Sequence, residues 1–144
     1  MSNFNSSMQD ISSIGRPPKV LLIEPGIPWE GAVRELHMPL GLVAIASYLR
    51  NMFENIDVNI WDANPFFYKK SLSVTCKLQF DSIKLLNDTG PLDEEWDIIG
   101  VANHFSNSEN TTRVAEYLRK KYPNALIVLG GVHASACYEA ILKT

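Results

Sequence analysis

The chain is poor in cysteine, has no block of basic residues and has no long apolar run, and each absence excludes a class of protein. Two cysteines in 144 residues, Cys76 and Cys137, are too few for a disulfide framework. The net charge of −3 disfavours nucleic-acid binding, which depends on neutralising phosphates. No apolar run approaches the roughly 18 residues that span a bilayer. We therefore expect neither nucleic acid nor a membrane as a partner.

The N-terminal residues lack the features of an export signal. Met1 to Gly15 is rich in serine and asparagine and has neither a charged start nor an apolar centre. We predict that residues 1–18 form a disordered tail, because they can bury too little surface to offset the entropy of ordering. A single α/β domain is expected over residues 19–144. Without an export signal, both cysteines are expected to be reduced and the protein cytoplasmic.

Short apolar runs alternate with helical patterns along the domain. The predicted strands are Lys19–Ile23, Asp57–Trp61, Asp97–Ala102 and Ala125–Leu129, and the predicted helices are Pro39–Asn51, Cys76–Leu86, Glu109–Tyr122 and Ala134–Lys143. This alternation predicts a flavodoxin-like (Rossmann-like) doubly wound parallel sheet with strand order 2-1-3-4. The common version has a fifth strand, so either four strands suffice here or the chain is the front part of a longer protein. The first helix is apolar nearly all round and is expected to be largely buried.

The turn after the first strand disfavours three ligand classes that such sheets often bind. A dinucleotide site needs G-x-G-x-x-G, whereas Pro25 to Gly31 contains two prolines and a tryptophan. A flavin phosphate site needs hydroxyl donors, but no Ser or Thr lies between Glu24 and Met38. A phosphoacceptor site needs clustered acids at the first strand and an aspartate after the third, where this chain has Asn103.

A fourth class, cobalamin, suits the glycines better. Its nucleotide tail needs a pocket with one wall of backbone that carries no side chains, which Gly130 and Gly131 can provide. Gly41 lies inside an apolar helix, where glycine costs about 1 kcal/mol relative to alanine. That cost indicates a close neighbour, either a packed strand or a ligand.

Four segments together resemble one family. They are Pro39-Leu40-Gly41-Leu42 with Ala44, Ala46 and Leu49; Val58-x-Ile60-x-Asp62-Ala63; Asp97-Ile98-Ile99-Gly100; and Gly130-Gly131-x-His133-Ala134-Ser135. In order and spacing they resemble the N-terminal cobalamin-binding domain of cobalamin-dependent radical S-adenosylmethionine (radical SAM) enzymes. The resemblance runs from about Lys19 to Leu142.

The resemblance implies base-off cobalamin without a histidine on the lower face of cobalt. Other cobalamin modules carry D-x-H-x-x-G after strand one, where this chain has Glu24-Pro25-Gly26. It also implies a radical SAM domain or protein as partner, in cis or in trans. The cluster motif C-x-x-x-C-x-x-C is absent, so we expect no iron–sulfur cluster in this chain and no catalysis by it alone. Three histidines without companion ligands do not predict a zinc site.

The predicted cofactor-binding residues lie at the ends of strands one, three and four and on the first helix. They are Pro25, Gly26, Trp29, Gly41, Ala102, Asn103, His104, Phe105, Ser106, Gly130, Gly131 and His133. The family often has a serine at the position of Ala102, so this chain loses one hydrogen bond, worth about 1 kcal/mol. For His104 a solvated loop position is the favoured alternative, and for His133 a local bond at the helix start is equally supported.

Two other interpretations of the whole chain stay open. A truncated or degenerate module could keep the fold, bind no corrin and act as a protein-interaction domain through its unpaired sheet edge. A flavin or nucleotide sensor is the third, and it would carry a yellow chromophore or a phosphate.

Overall fold

A four-stranded parallel sheet organises the chain in the computed structural model, which describes residues 16–27, 38–72, 81–141 and 143. The strands are β1 (Lys19–Glu24), β2 (Asp57–Asp62), β3 (Ile98–Ala102) and β4 (Leu126–Gly130). Their order is β2-β1-β3-β4 and every pairing is parallel. The predicted α/β class and strand order are confirmed. The predicted tail up to residue 15, Trp29 and Cys76 lie outside the described residues.

Six described helices connect and follow the strands. They are α1 (Leu40–Met52), α2 (Asn64–Leu72), α3 (Ser82–Thr89), α4 (Ser108–Lys121), α5 (Val132–Ala136) and α6 (Tyr138–Ile141), with a 3-10 turn at Phe105–Asn107 before α4. None of these helices is long and apolar enough to cross a membrane.

Three helix predictions differ from the structure. The start of α3 is later than predicted, because the Asp81 carboxylate caps it by accepting the N–H groups of Ile83 and Lys84. The predicted fourth helix is two short helices, α5 and α6, since Cys137 leaves the helical conformation between them. The helix α2 was not predicted at all, as its sequence has almost no amphipathic pattern.

One face of the sheet, here called the closed face, is covered by α2, α3 and α4. Its strand residues are Leu21, Ile23, Ile99 and Val101, and they pack with Trp61, Phe67, Leu86, Trp96, Val114 and Leu118 in the larger core cluster. The indole of Trp61 is 6% exposed and donates to the Thr89 hydroxyl at 3.2 Å, which agrees with its predicted place in the core. This cluster holds the strands in register.

The opposite face, here called the open face, is only partly covered. Its cluster joins Val20, Leu22, Val58 and Ala102 to Leu42 and Ala46 of α1. The helix α1 packs on β1 and β2, and the apolar β4 side chains Leu126 and Val128 stay 40% and 45% exposed. The prediction that α1 is largely buried is therefore wrong: it buries only Leu42 and Ala46 within the described chain. Sequence periodicity does not reveal that α1 packs on the β1 and β2 part of this face.

Candidate functional site

A cavity of about 810 Å³ lies between α1 and the open face. It extends along the strands, from Pro18 and Phe53 near their amino ends to Gly130 and His104 at their carboxyl ends. Apolar strand residues form its floor, namely Val20, Leu22, Ile98 and Val128. Its size is in the range of about 300–1,000 Å³ that holds small molecules and cofactors. Its upper end, here called the mouth, lies at the carboxyl ends of the strands, where parallel α/β sheets bind their ligands.

The polar groups of the cavity lie at that upper end. Glu24 ends β1, is buried, and accepts hydrogen bonds on Oε1 from the Gly26 N–H at 3.3 Å and from Asn107 Nδ2 at 3.1 Å. The His104 imidazole Nε2 lies 3.6 Å from the other carboxylate oxygen, Oε2. The Asn107 amide oxygen accepts the His104 backbone N–H at 2.7 Å. Asn107 thus holds the acid and the histidine loop together.

Burial raises the pKa of the Glu24 carboxyl above its ordinary value of 4.5. The hydrogen bond from Gly26, the charge of His104 and the hydrogen bond from Asn107 act in the opposite direction, while the neighbouring Asp62 adds to the increase. A carboxyl whose folded pKa is raised contributes stability that is present below its unfolded pKa. That stability is lost as the pH rises through the folded value.

The raised pKa of Glu24 predicts how the substitution Glu24→Gln changes the thermal stability. Glutamine keeps an oxygen for the two donors but never takes a buried charge, so the variant should unfold at a higher temperature than the wild type at pH 7 to 8. The difference should shrink as the pH falls towards about 4, where the wild-type carboxyl is protonated. Thermal unfolding across this pH range measures it, with the exposed Glu95→Gln as control. A difference in unfolding temperature that stays the same across this pH range would contradict the raised pKa of Glu24.

A buried network of amides and hydroxyls fixes the loop after β1. Asn110 Nδ2 lies 3.0 Å from the Pro25 carbonyl oxygen, 3.3 Å from that of Gly26 and 2.8 Å from Ser82 Oγ. The Ser82 hydroxyl donates to the same Pro25 oxygen at 2.8 Å, and Thr111 Oγ1 donates to the Ala102 carbonyl at 3.0 Å. The starts of α3 and α4 therefore hold the exits of β1 and β3 in place.

Sequence reasoning missed this network, although α4 carries a signal for it. Asn107, Asn110 and Thr111 continue the helical stripe of Val114 and Leu118 towards the N-terminus of the helix. All five of these side chains are buried. Polar residues in the buried stripe of an amphipathic helix need partners, which indicates a polar network at that end.

The glycines near the cavity differ in what they require. Gly131 has a φ of +111°, and a Cβ there would lie 2.6 Å from the Asn103 carbonyl oxygen. Gly26 has a φ of +72°, and a Cβ there would lie 2.6 Å from the Phe67 ring. A Cβ at Gly41 or Gly130 would meet nothing within 4 Å. Gly131 and Gly26 are needed for their backbone conformation and because a neighbour lies close. Gly41 and Gly130 instead leave open space beside the cavity.

The structure brings half of the predicted cofactor-binding residues to the cavity wall. These six are Gly41, Ala102, His104, Ser106, Gly130 and Gly131. The other residues have different surroundings. Pro25 and Gly26 are buried in the loop that Asn110 holds, and the rings of Phe105 and His133 make an edge-to-face contact at 5.7 Å. Trp29 lies outside the described residues.

Asn103 is buried behind the wall rather than in it. Its backbone N–H donates to the Gly130 carbonyl at 2.6 Å and its carbonyl accepts the His133 N–H at 3.3 Å. Both side-chain amide atoms are buried without a hydrogen-bond partner among the residues that the structure describes. Burying an amide without a partner lowers the free energy of unfolding.

Neither metal ligation nor a known relative identifies the site. In residues 16–27, 38–72, 81–141 and 143, no three His, Cys, Asp or Glu side chains are grouped to hold a metal ion. Comparison with protein-family models, curated proteins and solved structures finds no match. The ligand therefore has to be inferred from the chain's own residues.

Proposed function

We propose that this chain is a cobalamin-binding module that takes the cofactor base-off, without a histidine on the lower face of cobalt. The observation that carries the proposal is the cavity, which is long, mainly apolar and reaches the carboxyl ends of the strands. A cofactor with an extended nucleotide tail and a broad head fits such a shape, with the tail inside and the head at the mouth.

The residues that line the cavity support this fit. Gly130 and Gly131 give a stretch of wall without side chains, and Gly41 leaves space on the helix side. At the mouth, Glu24 and Asn107 would offer an acceptor and a donor to the amide groups that surround a corrin. These polar groups would orient the head while the apolar floor excludes water from the tail.

The described part of the β1 exit offers cobalt no imidazole. It consists of Pro25, Gly26 and Ile27 after Glu24. Of the described histidines, His104 lines the cavity, and its side chain is 51% exposed and faces the Glu24 carboxylate. These two facts support the part of the proposal that places no histidine on the lower face of cobalt, and the base-off form itself is what the family resemblance implies.

When bound, cobalamin supplies a cobalt centre that carries a methyl group or takes part in electron transfer, and this chain's residues position it. In the proposal, the partner is a radical SAM domain or protein, in cis or in trans, which provides the iron–sulfur cluster. The module is not catalytic by itself, and a cytoplasmic location suits its reduced Cys137.

The direct test is a spectral titration of the purified chain with methylcobalamin. We expect saturable binding and a shift of the visible spectrum to the base-off form. Cobinamide, which lacks the nucleotide tail, is the matched control and should bind at least about tenfold more weakly, since the cavity would lose its occupant. Equal binding of the two corrins would show that the cavity does not hold the tail. No binding of either would overturn the proposal.

A protein-interaction module without a corrin is the second candidate function. The exposed apolar side chains of β4 favour it, because Leu126 and Val128 lie on a strand that is at the edge of the sheet. A chain that binds no cobalamin but associates through this face would establish this alternative.

A further inference from the structure

We propose that Glu24 makes the mouth of the cavity selective for corrins whose side chains are neutral amides, and that it rejects corrins with a carboxylate in their place. This inference rests on the proposed function and adds the chemical class of corrin that the module accepts. Three features of the mouth carry it. They are an acceptor oxygen with unused capacity, a fixed orientation of its carboxylate, and a local charge that is acidic.

The two oxygens of the Glu24 carboxylate have different partners. Oε1 accepts the Gly26 N–H at 3.3 Å and Asn107 Nδ2 at 3.1 Å. Within the described part of the chain, Oε2 accepts no hydrogen bond, since His104 Nε2 is 3.6 Å away and too distant for one. The Glu24 side chain is only 8% exposed and lines the cavity. An N–H group of a ligand at the mouth would therefore satisfy a buried acceptor.

Asn107 fixes which oxygen of Glu24 is already used. Its amide oxygen accepts the His104 backbone N–H at 2.7 Å and lies 3.2 Å from the Thr111 hydroxyl. Because a backbone N–H can only donate, this bond determines that the other end of the amide, Nδ2, is the one that contacts Glu24. Asn107 is buried, so the arrangement is held on all sides. Oε2 is thus the oxygen left for a ligand.

The charge around Glu24 is acidic. Asp62 lies opposite Glu24 in the parallel register of β1 and β2, and it is partly buried with its Oδ1 accepting the Asn64 N–H at 2.9 Å. Among the described residues that line the cavity, none is a lysine or an arginine. His104 is the only one of them that can take a positive charge. A site of this kind favours neutral donors and repels anions, because like charges in contact disfavour association.

Amide and carboxylate side chains of a corrin differ in the group they present to Glu24. An amide brings N–H donors, whereas a carboxylate brings only acceptors. The amide would make a charge-assisted hydrogen bond to Oε2, and the carboxylate would place a second anion against a buried one. Selectivity that combines an attraction with a repulsion is larger than either gives alone. The module would therefore accept the fully amidated cofactor and reject corrins whose amidation is incomplete.

The test compares methylcobalamin with its ring monocarboxylic acids, in each of which one propionamide is hydrolysed to a propionate. Calorimetric titration of the full chain at about pH 8 keeps the carboxyls of the protein and of the ligand ionised. We expect the wild type to bind methylcobalamin and to bind at least one of the acids at least about tenfold more weakly. The acid and the amide have nearly the same shape, so the difference measures the charge and the donor.

Glu24→Gln assigns the discrimination to Glu24. Glutamine has nearly the same size, keeps an acceptor oxygen and adds an N–H that can donate to a carboxylate. We expect this variant to bind the rejected acid within about threefold of methylcobalamin. Glu95→Gln is the matched control, since Glu95 is exposed and precedes β3, at the opposite end of the sheet from the mouth. It should discriminate as strongly as the wild type.

The outcomes separate a failure of this inference from a failure of the proposed function. The inference is overturned, and cobalamin binding stands, if the wild type binds every acid as tightly as methylcobalamin. The same holds if Glu24→Gln discriminates as strongly as the wild type, or if Glu95→Gln loses the discrimination equally. A wild type that binds no corrin overturns the proposed function and this inference with it. The wild-type comparison needs no variant, so it decides the question even if a substitution impairs folding.

Discussion

Replacing Gly131 with alanine is expected to lower the free energy of unfolding by about 3 kcal/mol. The φ of +111° with a ψ of 174° is a conformation that is essentially restricted to glycine. The added Cβ would also lie 2.6 Å from the Asn103 carbonyl oxygen. That oxygen cannot move freely, because it accepts the His133 N–H and its residue donates to the Gly130 carbonyl. Urea unfolding followed by circular dichroism measures the loss.

Gly130→Ala is the matched control for Gly131→Ala. The two glycines are adjacent and both line the cavity, but a Cβ at Gly130 meets nothing within 4 Å. Gly130 also has a φ outside the left-handed region. We expect its alanine variant to stay within about 0.5 kcal/mol of the wild type. Equal destabilisation by the two changes would contradict the assigned difference between the two positions.

Asn110→Ala is also expected to lower the free energy of unfolding by about 3 kcal/mol. The substitution removes the amide nitrogen that bonds the Pro25 and Gly26 carbonyls and contacts the Ser82 hydroxyl. Pro25 and Gly26 are buried, so their oxygens would lose a donor in a place that water reaches poorly. Urea unfolding gives the free energy, and amide hydrogen exchange at Gly26 and Ile27 should accelerate because the loop is released.

Thr112→Ala is the control on the same helix. Thr112 is only partly buried, and its hydroxyl bonds the Ser108 carbonyl within the helix itself. Its loss should change the free energy of unfolding by less than about 0.5 kcal/mol. If Asn110→Ala were as mild, the network would not be what holds the β1 exit.

The strands and their order could be predicted because their signals are local. Four short apolar runs separated by helical patterns allow few sheets, and right-handed crossovers then restrict the order. The closed face follows from the same signals, since α4 shows its stripe of Val114 and Leu118 in the sequence. The glycines at the β4 exit were also visible, because they follow a strand directly.

The exposure of α1 and the β1 network could not be predicted in the same way. Leu40 to Met52 is apolar nearly all round, and this pattern does not tell whether the cover comes from the same chain or from another molecule. Two of the three partners of Asn110, the carbonyls of Pro25 and Gly26, lie 85 and 84 residues away in the sequence, so only the folded chain brings them together. The same reason hid Asn107, whose partner Glu24 ends a distant strand.

The most direct measurement of the central claim is calorimetric titration of the wild type and of Gly130→Leu with hydroxocobalamin. Leucine at this position fits the fold, because the space beside Gly130 is open, but it fills the part of the cavity that the nucleotide tail would occupy. We expect the wild type to bind saturably and Gly130→Leu to lose at least about tenfold in affinity with unchanged stability. Binding of equal strength by both proteins, or no binding by the wild type, would contradict the account.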